Sequence, residues 1–341
     1  MEYLLGSKKL FYDFLNKLNK KDKIAVITHI DLDGIASAIL IKEILKQKKL
    51  KINSFSFINY GTGVFEKTEK KFKKGINKII IMDISVDSDI EGFEKLKKKY
   101  DVLVIDHHPF ELKSDNMIKT KSEDCATFAI FEMAKDEFDL KKWEWLICST
   151  MIAEFSYKSK SNLEFIKSHS PDFSLEDVYA SKYGEISNKI YSTVIYFKGK
   201  EKKVFDMLLK DKMKRINKYS LIIEKEIQKG IEKFKKEAEF YPKRNLYFYY
   251  DNPKFSTNSF IATNLSIKDP EKSFVFVHDT QDNPDFVSVS SRNQNGTENM
   301  NLLMKKGIEG LEDASGGGHI PAAGAKFLKK DLEKFKENIL K

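Results

Sequence analysis

The chain is poor in cysteine, arginine and long apolar runs, and each shortage narrows what it can be. Two cysteines, Cys125 and Cys148, in 341 residues exclude a disulfide framework and a four-thiolate zinc site, and favour a reduced, intracellular setting. No uncharged apolar run reaches the roughly 18–20 residues of a membrane span, and the mean hydropathy is -0.45. The opening Met1-Glu2-Tyr3-Leu4-Leu5-Gly6 lacks the basic-then-apolar pattern of a signal peptide. The expectation is a cytoplasmic protein with no membrane partner. Among 60 basic residues only Arg215, Arg244 and Arg292 are arginines. Lysine is the default choice here, so each arginine stands out. The formal net charge of +9, from 60 basic and 51 acidic residues, is compatible with a polyanionic partner without demonstrating one. Hydrophobic residues at 41% and aromatics at 12% argue against wholesale disorder.

What is present has the length of about two domains. Apolar β-type runs at 24–28, 52–58, 78–82 and 102–105 alternate with helical spacing at 35–47, 66–74 and 90–100. That alternation predicts a mostly parallel sheet covered by helices on both faces. From Asp124 to about Lys200 the pattern is mainly helical, with Ser161 opening one helix and Ser174, three residues before Asp177, another. Residues 201–239 are lysine-rich and free of proline, which reads as one or two linking helices. After Pro242, strands are expected at 246–250, 273–278, 286–290 and 323–327. Helices are expected at 259–267, from a Thr297 cap through Lys306, and at 331–338. The fold class is therefore α/β: an N-terminal parallel sheet domain (1–200), a helical linker (201–240) and a smaller α+β domain (241–341) across a cleft.

Three of the predicted strands end in acids or histidines. The first runs into His29-Ile30-Asp31-Leu32-Asp33-Gly34, the second into Asp83, the third into Asp106-His107-His108-Pro109. In a parallel sheet, functional groups gather at the carboxyl ends of the strands. Taken singly, each segment is explained by a turn or a helix cap. Together, seven titratable groups along one edge are too costly to crowd unless cations neutralise them. Mixed imidazole and carboxylate donors suit Mn²⁺ better than an all-oxygen Mg²⁺ site. Two ions roughly 3.5–4 Å apart, bridged by one carboxylate, are a known device for phosphoryl chemistry. The middle position favours Asp83 as the bridge.

The C-terminal part has its own candidate. Gly316-Gly317-Gly318-His319 precedes Pro321-Ala322-Ala323-Gly324. Consecutive glycines let backbone pass close to a ligand and present N–H groups to an anion. Arg292 follows a predicted strand and can fork onto a phosphate. The run is neither a Walker loop nor a dinucleotide fingerprint.

With these motifs in order, the chain resembles the DHH phosphoesterases that carry a DHHA1 domain. His29-x-Asp31-x-Asp33-Gly34, Asp83, Asp106-His107-His108 and the Gly316–Gly324 run match the successive family motifs. The set spans nearly the whole chain. The resemblance implies one metal on His29, Asp31 and Asp83 and another on Asp33, Asp83 and His107. It implies that Asp106 supports the histidines and can approach a metal, and that His108, Arg292, Gly316, Gly317, Gly318 and His319 meet the substrate. The family's fourth motif supplies an aspartate. Here Glu154 stands at the aligned place, so either Glu154 or water completes the second metal. The implied activity is a Mn²⁺- or Mg²⁺-dependent exonuclease on single-stranded DNA or short RNA, of the compact archaeal RecJ-like or short-oligonucleotide type. Two other readings stay open: a phosphodiesterase or phosphatase of small nucleotides, and a weakly active repair or replication scaffold. A homodimer and a replication or repair protein partner also stay open.

Overall fold

The computed structural model describes residues 1–280 and 283–341. The chain divides into two compact units, Met1–Ser220 and Leu221–Lys341. The first unit contains β1 (Tyr3–Leu5), α1 (Lys8–Lys17), β2 (Ile24–His29), α2 (Leu32–Gln47), β3 (Ile52–Ile58), α3 (Val64–Glu69), β4 (Lys78–Met82), α4 (Ile90–Lys99), β5 (Asp101–Asp106) and β6 (Met117–Thr120). Helices α5 (Ala126–Ala134), α6 (Glu144–Ala153), α7 (Lys160–His169), α8 (Lys182–Tyr196) and α9 (Lys202–Leu209) follow. The sheet order is β1-β6-β5-β4-β2-β3. Strands β2 to β6 are parallel, and β1 joins the edge antiparallel to β6.

The central strands are apolar throughout because both sheet faces are covered. Alternate residues sort between the faces. Val26, Ile80, Leu103 and Ile105 pack with residues of α1, α2, α5 and α6. Ala25, Ile27, Ile79, Ile81 and Val104 pack with Phe65 of α3 and Phe93 and Leu96 of α4.

Helix α10 (Met213–Glu237) runs through the boundary between the units. The second unit also holds β7 (Glu239–Tyr241), β8 (Leu246–Tyr250), α11 (Asn258–Lys268), β9 (Ser273–Asp279), β10 (Phe286–Arg292), α12 (Met300–Gly307), β11 (Ser315–Gly318), β12 (Ala322–Leu328) and α13 (Leu332–Leu340). Its sheet order is β11-β12-β10-β9-β8-β7, with only β8 and β9 parallel. Phe327, Phe335, Val289 and Leu303 centre its core. Among the described residues, no helix is long and apolar enough to cross a membrane.

Several local expectations shift. Ser174 opens no helix; its hydroxyl accepts the Glu176 N–H in a turn, and Ser181 caps α8 through the Gly184 N–H. Thr297 is replaced as a cap by Asn299, whose side chain accepts from Leu302. The triple glycine lies in a strand that the pattern did not mark. It forms β11, with Gly316 opposite Ala325 and Gly318 opposite Ala323.

Candidate metal centre

Each sequence-marked acid of the first unit reaches the carboxyl edge for a local reason. Asp31 is the N-cap of α2, accepting the Gly34 N–H at 3.0 Å. A β-carbon on Gly34 would lie 2.3 Å from the His29 carbonyl oxygen. Glycine alone therefore lets α2 start this close to the end of β2. Asp83 leaves β4 in the left-handed region at φ 56°, with its N–H donating to the Ile105 carbonyl at 2.9 Å. That unusual backbone turns the carboxylate inward, where it is almost wholly buried. Asp106 ends β5 and stands in register with Lys119 of β6.

The side chains form two groups that share Asp83: His29, Asp31 and Asp83, and Asp83, His107 and His108. One donor atom from each member lies within 4.8 Å of the others. His29 Nδ1–H donates to Asp31 at 2.6 Å and lies 3.8 Å from Asp83. His107 Nε2 is 3.4 Å from Asp83 and 3.7 Å from Asp33. His108 Nδ1–H donates to Asp106 at 2.8 Å.

Two of these acids have further partners. Asp33 caps another helix: its oxygens accept the Ala126 and Thr127 N–H groups at 2.7 and 2.8 Å. Helix α5 has no side-chain cap of its own, so Asp33 supplies one across the core. Asp106 is engaged on both sides, by His108 on one oxygen and by the Lys119 ammonium on the other. By distance His108 joins Asp83 and His107 in the second group, and Asp33 lies 3.7 Å from His107 Nε2.

The electrostatics record the crowding. Burial, reinforced by Asp33, Asp31 and Glu154, pushes the Asp83 carboxyl well above its ordinary value. Burial beside Asp31 and Asp33 does the same to Glu154, at the end of α6. Burial also works against ionised Asp31, but the His29 charge and hydrogen bond outweigh it and hold that carboxyl low. Asp106 is held low in the same way by His108 and Lys119.

The donor set fits divalent ions. Among the described residues, Asp83 Oδ2 and both ring nitrogens of His107 are buried without a hydrogen-bond partner, which in a folded chain asks for an explanation such as an ion. Mixed nitrogen and oxygen donors sharing a central carboxylate answer it.

Two neighbours carry no metal-motif signal in the sequence. Tyr60, in the loop after β3, places its hydroxyl 2.8 Å from His108 Nε2 and its ring centroid 4.6 Å from that of His29. Burial and the nearby Asp83 and Asp31 push its phenol up. Lys119 is completely buried. It also donates to the His108 carbonyl at 3.3 Å.

The remaining candidates belong to the second unit. Arg292 ends β10, and its guanidinium donates to Thr263 and Ser259 hydroxyls at 3.1 and 2.9 Å and to the Ser291 carbonyl at 2.8 Å. Gly316 and Gly317 lie in β11 against α12. A β-carbon on Gly316 would stand 3.2 Å from the Met304 carbonyl. Gly318 has φ 150° and donates its N–H to Asn301. The exposed His319 turns the chain into β12, with its N–H on the Ala322 carbonyl at 2.8 Å.

Residues 23–168, somewhat under half the chain, match the DHH family, N-terminal domain. No curated protein matches the sequence. Among solved structures, exonuclease RecJ bound to manganese is 14% identical, with a TM-score of 0.73 over 97% of this chain and 92% of that one. RecJ in complex with Mn²⁺ from Thermus thermophilus is 13% identical with a TM-score of 0.71 over 98% of this chain; this chain spans 54% of that one. The DHH domain of a member of the s1p family of ribosomal proteins is 17% identical, with a TM-score of 0.64 over 94% of this chain and 87% of that one. The fold is DHH/DHHA1-like and related to that of the RecJ phosphoesterases. Two candidate metal-binding groups stand at its strand ends.

Proposed function

We propose that this chain hydrolyses phosphodiester bonds of single-stranded DNA or short RNA from an end, with two divalent ions, Mn²⁺ in preference to Mg²⁺. The observation that carries the reading is one buried carboxylate, Asp83, common to both ligand groups. Bound ions supply Lewis-acid neutralisation of the phosphate and acidify a water. The chain's own residues do the positioning. His29 and Asp31 hold one side of Asp83 and His107 the other, with Glu154 adding a further carboxylate to the field. Asp106 orients His108 by accepting its Nδ1–H. The likeness to a manganese-bound exonuclease supports this reading, as does the +9 charge.

The test is purified chain with Mn²⁺ on labelled single strands, with and without EDTA. Release of mononucleotides that EDTA abolishes is the expected result. Turnover confined to dinucleotides or cyclic dinucleotides replaces the exonuclease with a small-nucleotide phosphodiesterase. Binding without turnover replaces it with a scaffold.

Arg292, in the second unit, is proposed to bind a phosphate of the substrate. Arg292→Lys keeps the charge but loses the fork. Metal content should stay unchanged while KM rises about tenfold, the cost of one charge-assisted hydrogen bond. An unchanged KM removes Arg292 from the substrate.

A further inference from the structure

The loop between β3 and α3, Asn59-Tyr60-Gly61-Thr62-Gly63, rises from the strand next to β2 and therefore emerges beside His29. Gly61 and Gly63 hold φ values of 147° and 72° with open space around them. The backbone on the C-terminal side of Tyr60 thus takes shapes a side chain would resist. Asn59 accepts the Tyr60 N–H at 2.9 Å and lies 3.4 Å from His29 Nε2. Tyr60 spans the two ligand groups: its ring lies tilted on His29, and its hydroxyl meets His108. The residue keeps 39% of its surface exposed, so it is no core aromatic.

Hydrogen bonds join Tyr60 to the edge of the cluster. His108 gives its Nδ1–H to Asp106. Its Nε2 lies 2.8 Å from the Tyr60 hydroxyl. Tyr60 is the neighbouring donor. We propose that the Tyr60 hydroxyl binds the substrate: it turns from His108 Nε2 to donate its hydrogen bond to a non-bridging oxygen of the phosphoryl group at the Asp83-centred site. This deepens the hydrolase reading and rests on it for the identity of the ligand. No covalent step is involved.

Tyr60→Phe keeps the ring and deletes the donor; Tyr60→Ala deletes both, on an exposed loop where folding tolerates it. The probes are AMP and dAMP by equilibrium dialysis in Mn²⁺, bound metal by elemental analysis, and KM and kcat on a trinucleotide. Tyr60→Phe should retain the wild-type metal content and weaken nucleotide binding by about ten- to a hundredfold, as loss of a hydrogen bond to a charged group does. Tyr60→Ala should bind no better than Tyr60→Phe. Unchanged binding and KM in Tyr60→Phe overturn the proposal. So does loss of metal from that variant, which would make Tyr60 a support for His108 instead. The two readings fail separately. Tyr60-dependent nucleotide binding without any hydrolysis sinks the hydrolase and keeps the contact. Hydrolysis with a silent Tyr60→Phe keeps the hydrolase and sinks the contact.

Discussion

Asp83→Asn is expected to abolish hydrolysis, by on the order of a thousandfold or more, and at the same time to make the metal-free protein more stable. The loss follows from position: Asp83 is the one residue common to both ligand groups, and removing a member of a set that acts as a unit costs nearly the whole effect. The gain follows from the crowding. Without cations, Asp83 sits buried among Asp33, Asp31 and Glu154, and its carboxyl holds a proton far more tightly folded than unfolded. A carboxyl raised in this way leaves stability intact below its unfolded value near 4. It withdraws stability as pH climbs toward the folded value. Asparagine has no charge to lose. The variant should therefore unfold at a higher temperature than the wild type at pH 8 in EDTA, with the difference shrinking toward pH 4. Adding Mn²⁺ should reverse the order, because binding to the native state alone stabilises the wild type by mass action. Thermal unfolding at the two pH values, with and without Mn²⁺, reads all of this. A wild type indifferent to Mn²⁺ would sink the account of the cluster.

The residues of that cluster were legible because strand periodicity and chemistry coincide there. An apolar run that stops at His29, Asp83 or Asp106 marks both the end of a β-strand and the carboxyl edge of a parallel sheet. Where two residue types do the same job, the pattern could not choose. Thr297 and Asn299 are equally good caps on paper. The tertiary fold engages the Thr297 hydroxyl with Asn293 and Asn295, which leaves Asn299 for α12. Glycine's low strand propensity hid β11. The run is a strand because α12 packs so closely that a β-carbon on Gly316 would press on the Met304 carbonyl.

Tyr60 and Lys119 were invisible for other reasons. Tyr60 follows β3, whose end carries no acid or histidine, so nothing in the sequence marks that loop as part of the edge. Lys119 belongs to a four-residue strand, Met117-Ile118-Lys119-Thr120, in a chain where lysine is the commonest charge. Its one distinguishing property is register. Pairing of β5 with β6 puts Lys119 opposite Asp106, on the same face of the sheet.

That register gives the second large expectation. Lys119→Met should destabilise the first unit by about 3–5 kcal/mol at pH 8, the usual penalty for stranding one partner of a buried ion pair. Lys119 and Asp106 are both wholly buried at their side chains. The ammonium also donates to the His108 carbonyl and lies 5.0 Å from the Phe110 ring centroid. In the wild type, His108 and Lys119 outweigh burial and hold the Asp106 carboxyl low. Its contribution to stability is thus present above the unfolded value near 4 and is lost as pH falls. Deprived of Lys119, Asp106 gains relief only by taking up a proton, so the gap between variant and wild type should narrow from pH 8 to pH 5. Asp106→Asn combined with Lys119→Met removes both charges and should recover most of the stability. It should not recover hydrolysis, because His108 then loses the carboxylate that fixes its ring and tautomer. Urea unfolding of the two variants at both pH values, beside their turnover with Mn²⁺, separates the pair's two duties. A loss under about 1 kcal/mol for Lys119→Met at pH 8 would show that the pair does not hold up the edge of the sheet, and turnover restored in the double variant would show that it does not orient His108.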